Sequence, residues 1–170
     1  TKMNRDERHE VMHAATRCPP GLEVHCPLGR GFAEGAGEGG YLSCTLADAV
    51  ADADLLPRLG DLAGAARSAG VRVVHCTFNV RPDLWGGNRN SRLFVAGRRS
   101  AVQQYADTDA VKPADEIGFV EGADVVVPRF HGLSPVAGTE LAPMLRNEGV
   151  TTVVVAGVSL NLAIPNTVFD

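Results

Sequence analysis

An α/β domain of three layers (α/β/α), with helices on both faces of a mainly parallel sheet, is the fold class that this 170-residue sequence predicts. Three observations predict it: short apolar runs rich in β-branched residues at 71–78, 123–128 and 151–157, segments of helical period between them, and a glycine after each of the two clearest helical segments. Strands alternating with helices make the rhythm of a parallel sheet, and right-handed crossovers between them require helices to pack on it.

The elements follow in order. Residues 54–69, DLLPRLGDLAGAARSA, place Leu55, Leu59, Leu62, Ala63 and Ala66 on one stripe. Pro57 fits the first turn, where a missing N–H costs little, and Gly70 stands where a C-terminal cap belongs. VRVVHCTF (71–78) reads as a buried strand. ADVVVP (123–128) is a second strand, closed by Pro128, and Thr139 is the expected N-cap of a helix carrying Leu141 and Leu145 and ending at Gly149. TTVVVAG (151–157) is the third strand, expected to be buried on both faces from its near-continuous apolar character. Sites in such sheets lie beyond the C-terminal strand ends, which directs attention to the residues after Phe78, Pro128 and Gly157.

Two regions are expected: residues 1–47, a divergent segment outside the rhythm, and 48–170, the α/β domain. GRGFAEGAGEGGYLS (29–43) has no apolar period of either kind and reads as a flexible glycine-rich loop. Both ends look cut or altered, as in a truncated or frame-shifted product: the chain opens on Thr1 and stops at Asp170, where another helix is beginning.

Apolar residues at 45% and charged residues at 21% belong to a folded globular protein rather than a disordered one. A net charge of −4 with no basic run argues against nucleic acid as a partner. No apolar run approaches the roughly 20 residues that span a bilayer, and TKMNRDERHE lacks the core of a secretion signal, so no membrane is expected and the location is taken as cytoplasmic. Cys18, Cys26, Cys44 and Cys76 are too few for a disulfide framework and read as thiols. Cys18 and Cys26 flank His25, but the spacing is wider than a zinc hairpin and no second ligand pair follows, so neither metal nor cofactor is expected.

Three segments carry a resemblance. TTVVVAGVSLNLAIPNTVFD is similar to the signature strand and helix of the isochorismatase-like cysteine hydrolases, with Gly157, Val158, Ser159 and Asn161 in the expected places and Ala163 where the family has its cysteine. ADVVVPRFHGLSPVAGTELAPMLRNEGV resembles the stretch in which a strand delivers a lysine, and Arg129 stands nearest that lysine's place. AGVRVVHCTFNVRPD resembles the earlier strand and substrate loop, and GGNRNSRLF the loop that follows in actinobacterial-type members. The resemblance covers residues 48–170 and implies hydrolysis of a small carbonyl, amide or vinyl-ether substrate by a thiolate, with an aspartate accepting the proton and the lysine holding charge. It also implies a homo-oligomer. No strand ending in aspartate is recognisable in residues 1–47, and the family's C-terminal strand and helices are absent.

An alanine cannot be a nucleophile, so the expected activity is weak or absent, a pseudoenzyme; the alternative is a non-catalytic module that binds a small anion or serves in assembly. Ser159 would need an adjacent base to replace the thiol. The amides around Leu162, Ala163 and Ile164 remain a candidate anion pocket whatever the side chain. Arg129 is the candidate charge-holding group, and because arginine stays protonated it cannot act as a base. His131 is a candidate acid–base residue or a surface histidine. Asn88, Asn90 and Arg92 are substrate-contact candidates or ordinary loop residues, and Trp85 walls a pocket or packs the loop. His75 is expected as a hydrogen-bonded core residue on the face of Val73, Cys76 as a small buried group, and Asp107, Asp109, Asp115 and Glu116 as a solvated connection.

Overall fold

The computed structural model describes residues 9–14, 50–98, 103–157 and 160–170. Four parallel strands, β1 (His9–Ala14), β2 (Arg72–Phe78), β3 (Val125–Arg129) and β4 (Thr152–Gly157), form a sheet in the order β3-β2-β1-β4. Helices α1 (Leu55–Ser68), α2 (Arg92–Gly97), α3 (Leu141–Asn147) and α4 (Ala163–Phe169) complete the named α-elements, with two short 3-10 turns at Asp109–Val111 and Asp115–Ile117.

Alternation along β2 divides the core into two. Val73 packs with Leu59, Ala63 and Ala66 of α1 and with Ala114 and Ile117, while Val74 and Cys76 pack with Val127 and Leu141 of α3. Successive strand side chains point to opposite faces, so these clusters lie on opposite sides of the sheet and the domain has three layers. Helices α1 and α3 both end as the glycines after them require. Gly70, at φ 74°, donates to the carbonyl of Arg67 while Val71 donates to Ala66, and Gly149, at φ 66°, repeats the pattern with Arg146 and with Val150 to Leu145. The N-cap expectation moves by one residue: Glu140 holds the cap position, and Thr139 Oγ1 accepts the Leu141 N–H at 3.1 Å.

Four expectations need correction. Residues 9–14 do not stand apart from the sheet: β1 lies inside it, with Val11 opposite both Val73 and Val154. HEVMHA lacks a β-branched run, and two flanking strands with open edges supply the order its own propensity does not. Residues 15–47, including the glycine-rich segment and Cys18, His25, Cys26 and Cys44, lie outside the described residues. Pro128 does not close β3, which continues to Arg129; β3 is an edge strand among the described strands, where a missing N–H is tolerated. β4 is not buried on both faces: β1 is its one neighbour among the described strands, and Val154 is exposed. In the acidic connection the carboxylates are exposed as expected, but Val111, Ala114 and Ile117 between them are buried, so the segment is anchored rather than merely solvated.

That anchoring generates a test. A Cβ at Gly60 would stand 2.2 Å from the Glu116 carbonyl oxygen, whereas one at Gly64 meets nothing within 4 Å. Alanine for glycine inside a helix ordinarily stabilises by about 0.5–1 kcal/mol. Gly64→Ala should do so, while Gly60→Ala should destabilise by about 1–3 kcal/mol because backbone must move. Urea denaturation of the two variants checks the opposite signs.

Candidate functional site

Parallel strands bring their C-terminal ends to one edge. The chain runs outward from β1 through β2 to β3 and returns to the other side of β1 as β4, so the topological switch lies between β1 and β4, where Gly157 turns at φ 134° toward α4. Ala163 is the first residue of α4 and Leu162 its N-cap, with no side chain capping the helix. Leu162 is exposed and Ile164 half-buried; their carbonyl neighbourhood is used locally, Leu162 O accepting from Asn166 Nδ2 and Ala163 O from Thr167 Oγ1, both at 2.7 Å. Ser159 lies outside the described residues. β1 ends on Ala14, and residues 15–49 after it lie outside the described residues.

Arg129, at the end of β3, is 5% exposed. Its guanidinium lies 4.9 Å over the Phe78 ring, and Nη1 donates to the Gly132 carbonyl at 2.5 Å. The buried Nε has no hydrogen-bond partner, and no carboxylate pairs with the side chain among the described residues. Burial pulls its pKa down to about 10, with the nearby Cys76 acting in the opposite sense, so it remains a cation at neutral pH. Sequence periodicity carried the signal for this burial: Val127 and Arg129 share one side of the strand, and both are buried.

Asn88 resolves from two readings to a definite contact. Its Oδ1 accepts the Gly132 N–H at 2.7 Å, and Gly132 O in turn receives Arg129, so the two sides of Gly132 link Asn88 to the guanidinium. Asn90 and Arg92 are exposed, and no contact brings them to Arg129. His131 is exposed and lies against Gly138, where an added Cβ would come within 2.8 Å of the imidazole Cε1. Trp85 is 74% exposed, so it does not pack the loop onto the sheet; it lines a pocket of about 50 Å³ with Phe78, Phe94 and Phe130. Cys76 is buried in apolar company and burial pushes its thiol up to about 12, leaving it protonated and unable to stand in for a nucleophile.

One polar cluster escaped the sequence reading. Asp124 receives Arg67 through Nε at 2.8 Å and Nη2 at 2.7 Å, the His75 Nε2 lies 3.0 Å from its Oδ2, and the Val120 N–H donates to the same oxygen. His75 is thus the hydrogen-bonded core histidine expected, its ring edge-on to Phe119. Separations of 57 and 49 residues leave no local pattern from which to find the partners.

With the geometry established, comparison with known proteins assigns the family. A family model, the isochorismatase domain, matches residues 35–170. The chain belongs to the isochorismatase family. Ureidoacrylate amidohydrolase RutB of Methylorubrum extorquens is 30% identical over 154 residues, covering 79% of this chain; the chain spans 58% of that relative's length. Among solved structures, an isochorismatase family protein from Desulfovibrio vulgaris superposes with a TM-score of 0.67 at 20% identity, covering 96% of this chain and 74% of that one. N-carbamoylsarcosine amidase from Thermoplasma acidophilum gives 0.60 at 18% identity, covering 96% and 75%. These likenesses establish the isochorismatase-like fold. Among the described residues no helix is long and apolar enough to cross a membrane, and no three potential ligands gather around a metal position.

The Asp124 cluster sets an acid limit for this isochorismatase-family domain. Its ion pair and hydrogen bonds outweigh burial and hold the Asp124 pKa down at about 2, while burial lowers that of His75. Both shifts favour the fold at higher pH: the unfolded chain binds the His75 proton below the ordinary imidazole value near 6.5, and the Asp124 proton below about 4. Stability should therefore decline below about pH 6.5 and fall by a further amount on the order of 2 kcal/mol between about pH 4 and 2. Asp124→Asn should remove the lower step and cost about 3 kcal/mol at pH 7 by stranding Arg67. Urea midpoints across this pH range measure both effects.

Proposed function

We propose that the domain binds a small acyl, amide or ureide compound at the C-terminal strand edge, and that its hydrolytic activity is weak or absent. The observation that carries this reading is Arg129: a guanidinium 5% exposed, with Nε unpartnered and no carboxylate beside it among the described residues. Burying a charge without a partner costs several kcal/mol, and an anionic or polarised ligand that paired with it would recover part of that cost. Nη1 is committed to Gly132, which leaves the Nε and Nη2 edge for a carboxylate or a polarised carbonyl oxygen.

Hydrolysis through the family's covalent route requires a thiolate, and Ala163 begins the helix where the resemblance places it. Cys76 offers no replacement, because it is buried and protonated. The curated relative is named for an amidohydrolase acting on ureidoacrylate, a compound whose amide and carboxylate ends match what a fixed cation selects.

The test combines binding and turnover. Ureidoacrylate and small aliphatic amides should raise the thermal midpoint of the parent by several degrees near saturation, and Arg129→Gln should abolish the shift. Chromatography should detect no hydrolysis product with the parent. Turnover gained by Ala163→Cys would locate the defect in the nucleophile alone. A parent that hydrolyses these compounds, and loses activity with Arg129→Ala, would overturn the loss of catalysis. A parent unshifted by every compound would sink the ligand reading itself.

A further inference from the structure

Arg129 is held at three points, and only one of them controls the direction of its fork. The Asn79 N–H donates to the Arg129 carbonyl at 2.8 Å, which fixes the backbone, and the Phe78 ring lies 4.9 Å from the guanidinium carbon. A ring face leaves a planar cation free to turn about the axis between them, so stacking does not decide where its N–H groups aim. The Gly132 carbonyl does, by accepting Nη1 at 2.5 Å. Gly132 itself has little to keep it in place. It sits at φ 72°, and a Cβ added there would meet nothing within 4 Å, so no neighbour presses on it from that side. Glycine also has the widest choice of backbone conformations. Its anchor is Asn88 Oδ1, which accepts the Gly132 N–H at 2.7 Å from a loop 44 residues earlier in the chain.

We infer that Asn88 is a positioning residue for Arg129: its carboxamide fixes Gly132, and the Gly132 carbonyl then sets the direction in which the guanidinium meets a ligand. Asn88 acts here as an acceptor only, since the group it serves is an N–H. Adjacent strands make the arrangement possible. Phe78 and Arg129 are paired at the ends of β2 and β3, so the segments leaving them start side by side and the first can reach across to the second. The tether acts through pre-organisation. A fork aligned before a carboxylate or carbonyl oxygen arrives loses less rotational freedom on binding, and a planar fork is more sensitive to misalignment than a point charge. Orientation of the cation follows from the geometry of the free domain; its effect on affinity rests on Arg129 being the group that holds the ligand.

Heteronuclear NMR spectra of the arginine side chains measure the orientation directly, with or without a ligand. A guanidinium with a pinned Nη group turns slowly about its Cζ–N bonds and shows separate Nη signals, whereas a free one shows an averaged signal. The Arg129 set is identified by its disappearance in Arg129→Gln. It should be split in the parent, averaged in Asn88→Leu, which keeps the bulk and loses the acceptor, and split in Asn88→Asp, which keeps the acceptor. Asn88→Ala removes the acceptor without adding bulk and should behave as Asn88→Leu does. Signals of Arg67, held by Asp124 and identified through Arg67→Lys, should stay unchanged in every Asn88 variant, and circular dichroism establishes that each is folded. Propionamide, a neutral probe little affected by the charge that Asn88→Asp adds, should bind Asn88→Leu about tenfold more weakly than the parent and Asn88→Asp within about twofold. Averaged Arg129 signals in the parent, or split signals in folded Asn88→Leu and Asn88→Ala, would overturn the positioning role. Averaged signals with propionamide affinity unchanged would overturn the link from orientation to binding. A parent that binds no propionamide counts against the ligand reading of Arg129, while the Nη signals still decide what Asn88 does.

Discussion

Parallel strands cannot be joined by a tight turn, so every connection in this sheet has to travel back over one of its faces. Much of the molecule depends on that constraint. It sends α1 to one side and α3 to the other, divides β2 into two sets of buried side chains, and brings all four C-terminal strand ends to one edge. The site is a by-product of the same geometry. Arg129 and Ala163 lie far apart in the chain, yet their strands finish at the same rim, with β2 and β1 between them.

Sequence legibility followed whether a signal was local. The runs at 71–78, 123–128 and 151–157 carry their own β-branched character, and Gly70 and Gly149 carry their caps, so these were readable. β1 was not, because HEVMHA becomes a strand only through the two strands beside it. Asp124 was read as one more residue of a strand when its role is to receive Arg67 and His75 from other elements. At the site, the resemblance singled out Arg129, but with the strand expected to close at Pro128 its burial on the side of Val127 was not read. Its missing counter-charge could not be read, since that is a property of everything around it. Asn88 likewise became informative only once Gly132 was seen beside it.

Arginine where the family resemblance places lysine changes what the position can do. An ammonium can lose its proton in a buried setting, whereas a guanidinium, even with its pKa drawn down to about 10, does not exchange protons near neutrality. It offers instead a planar fork, and here that plane is set from two sides, by the Phe78 ring beneath and by the Gly132 carbonyl at one end. A fixed cation of this kind can hold an anion but cannot carry a proton near neutrality.

Pro128 has a consequence for assembly. The Arg129 carbonyl accepts from Asn79 on the β2 side, and backbone groups alternate in direction along a strand, so position 128 turns its backbone away from the sheet. Proline has no hydrogen to offer there, and the outer rim of β3 is interrupted at that point. Among the described strands, the outer rim of β3 thus has one gap in its row of donors, which makes that rim a poorer template for a further strand.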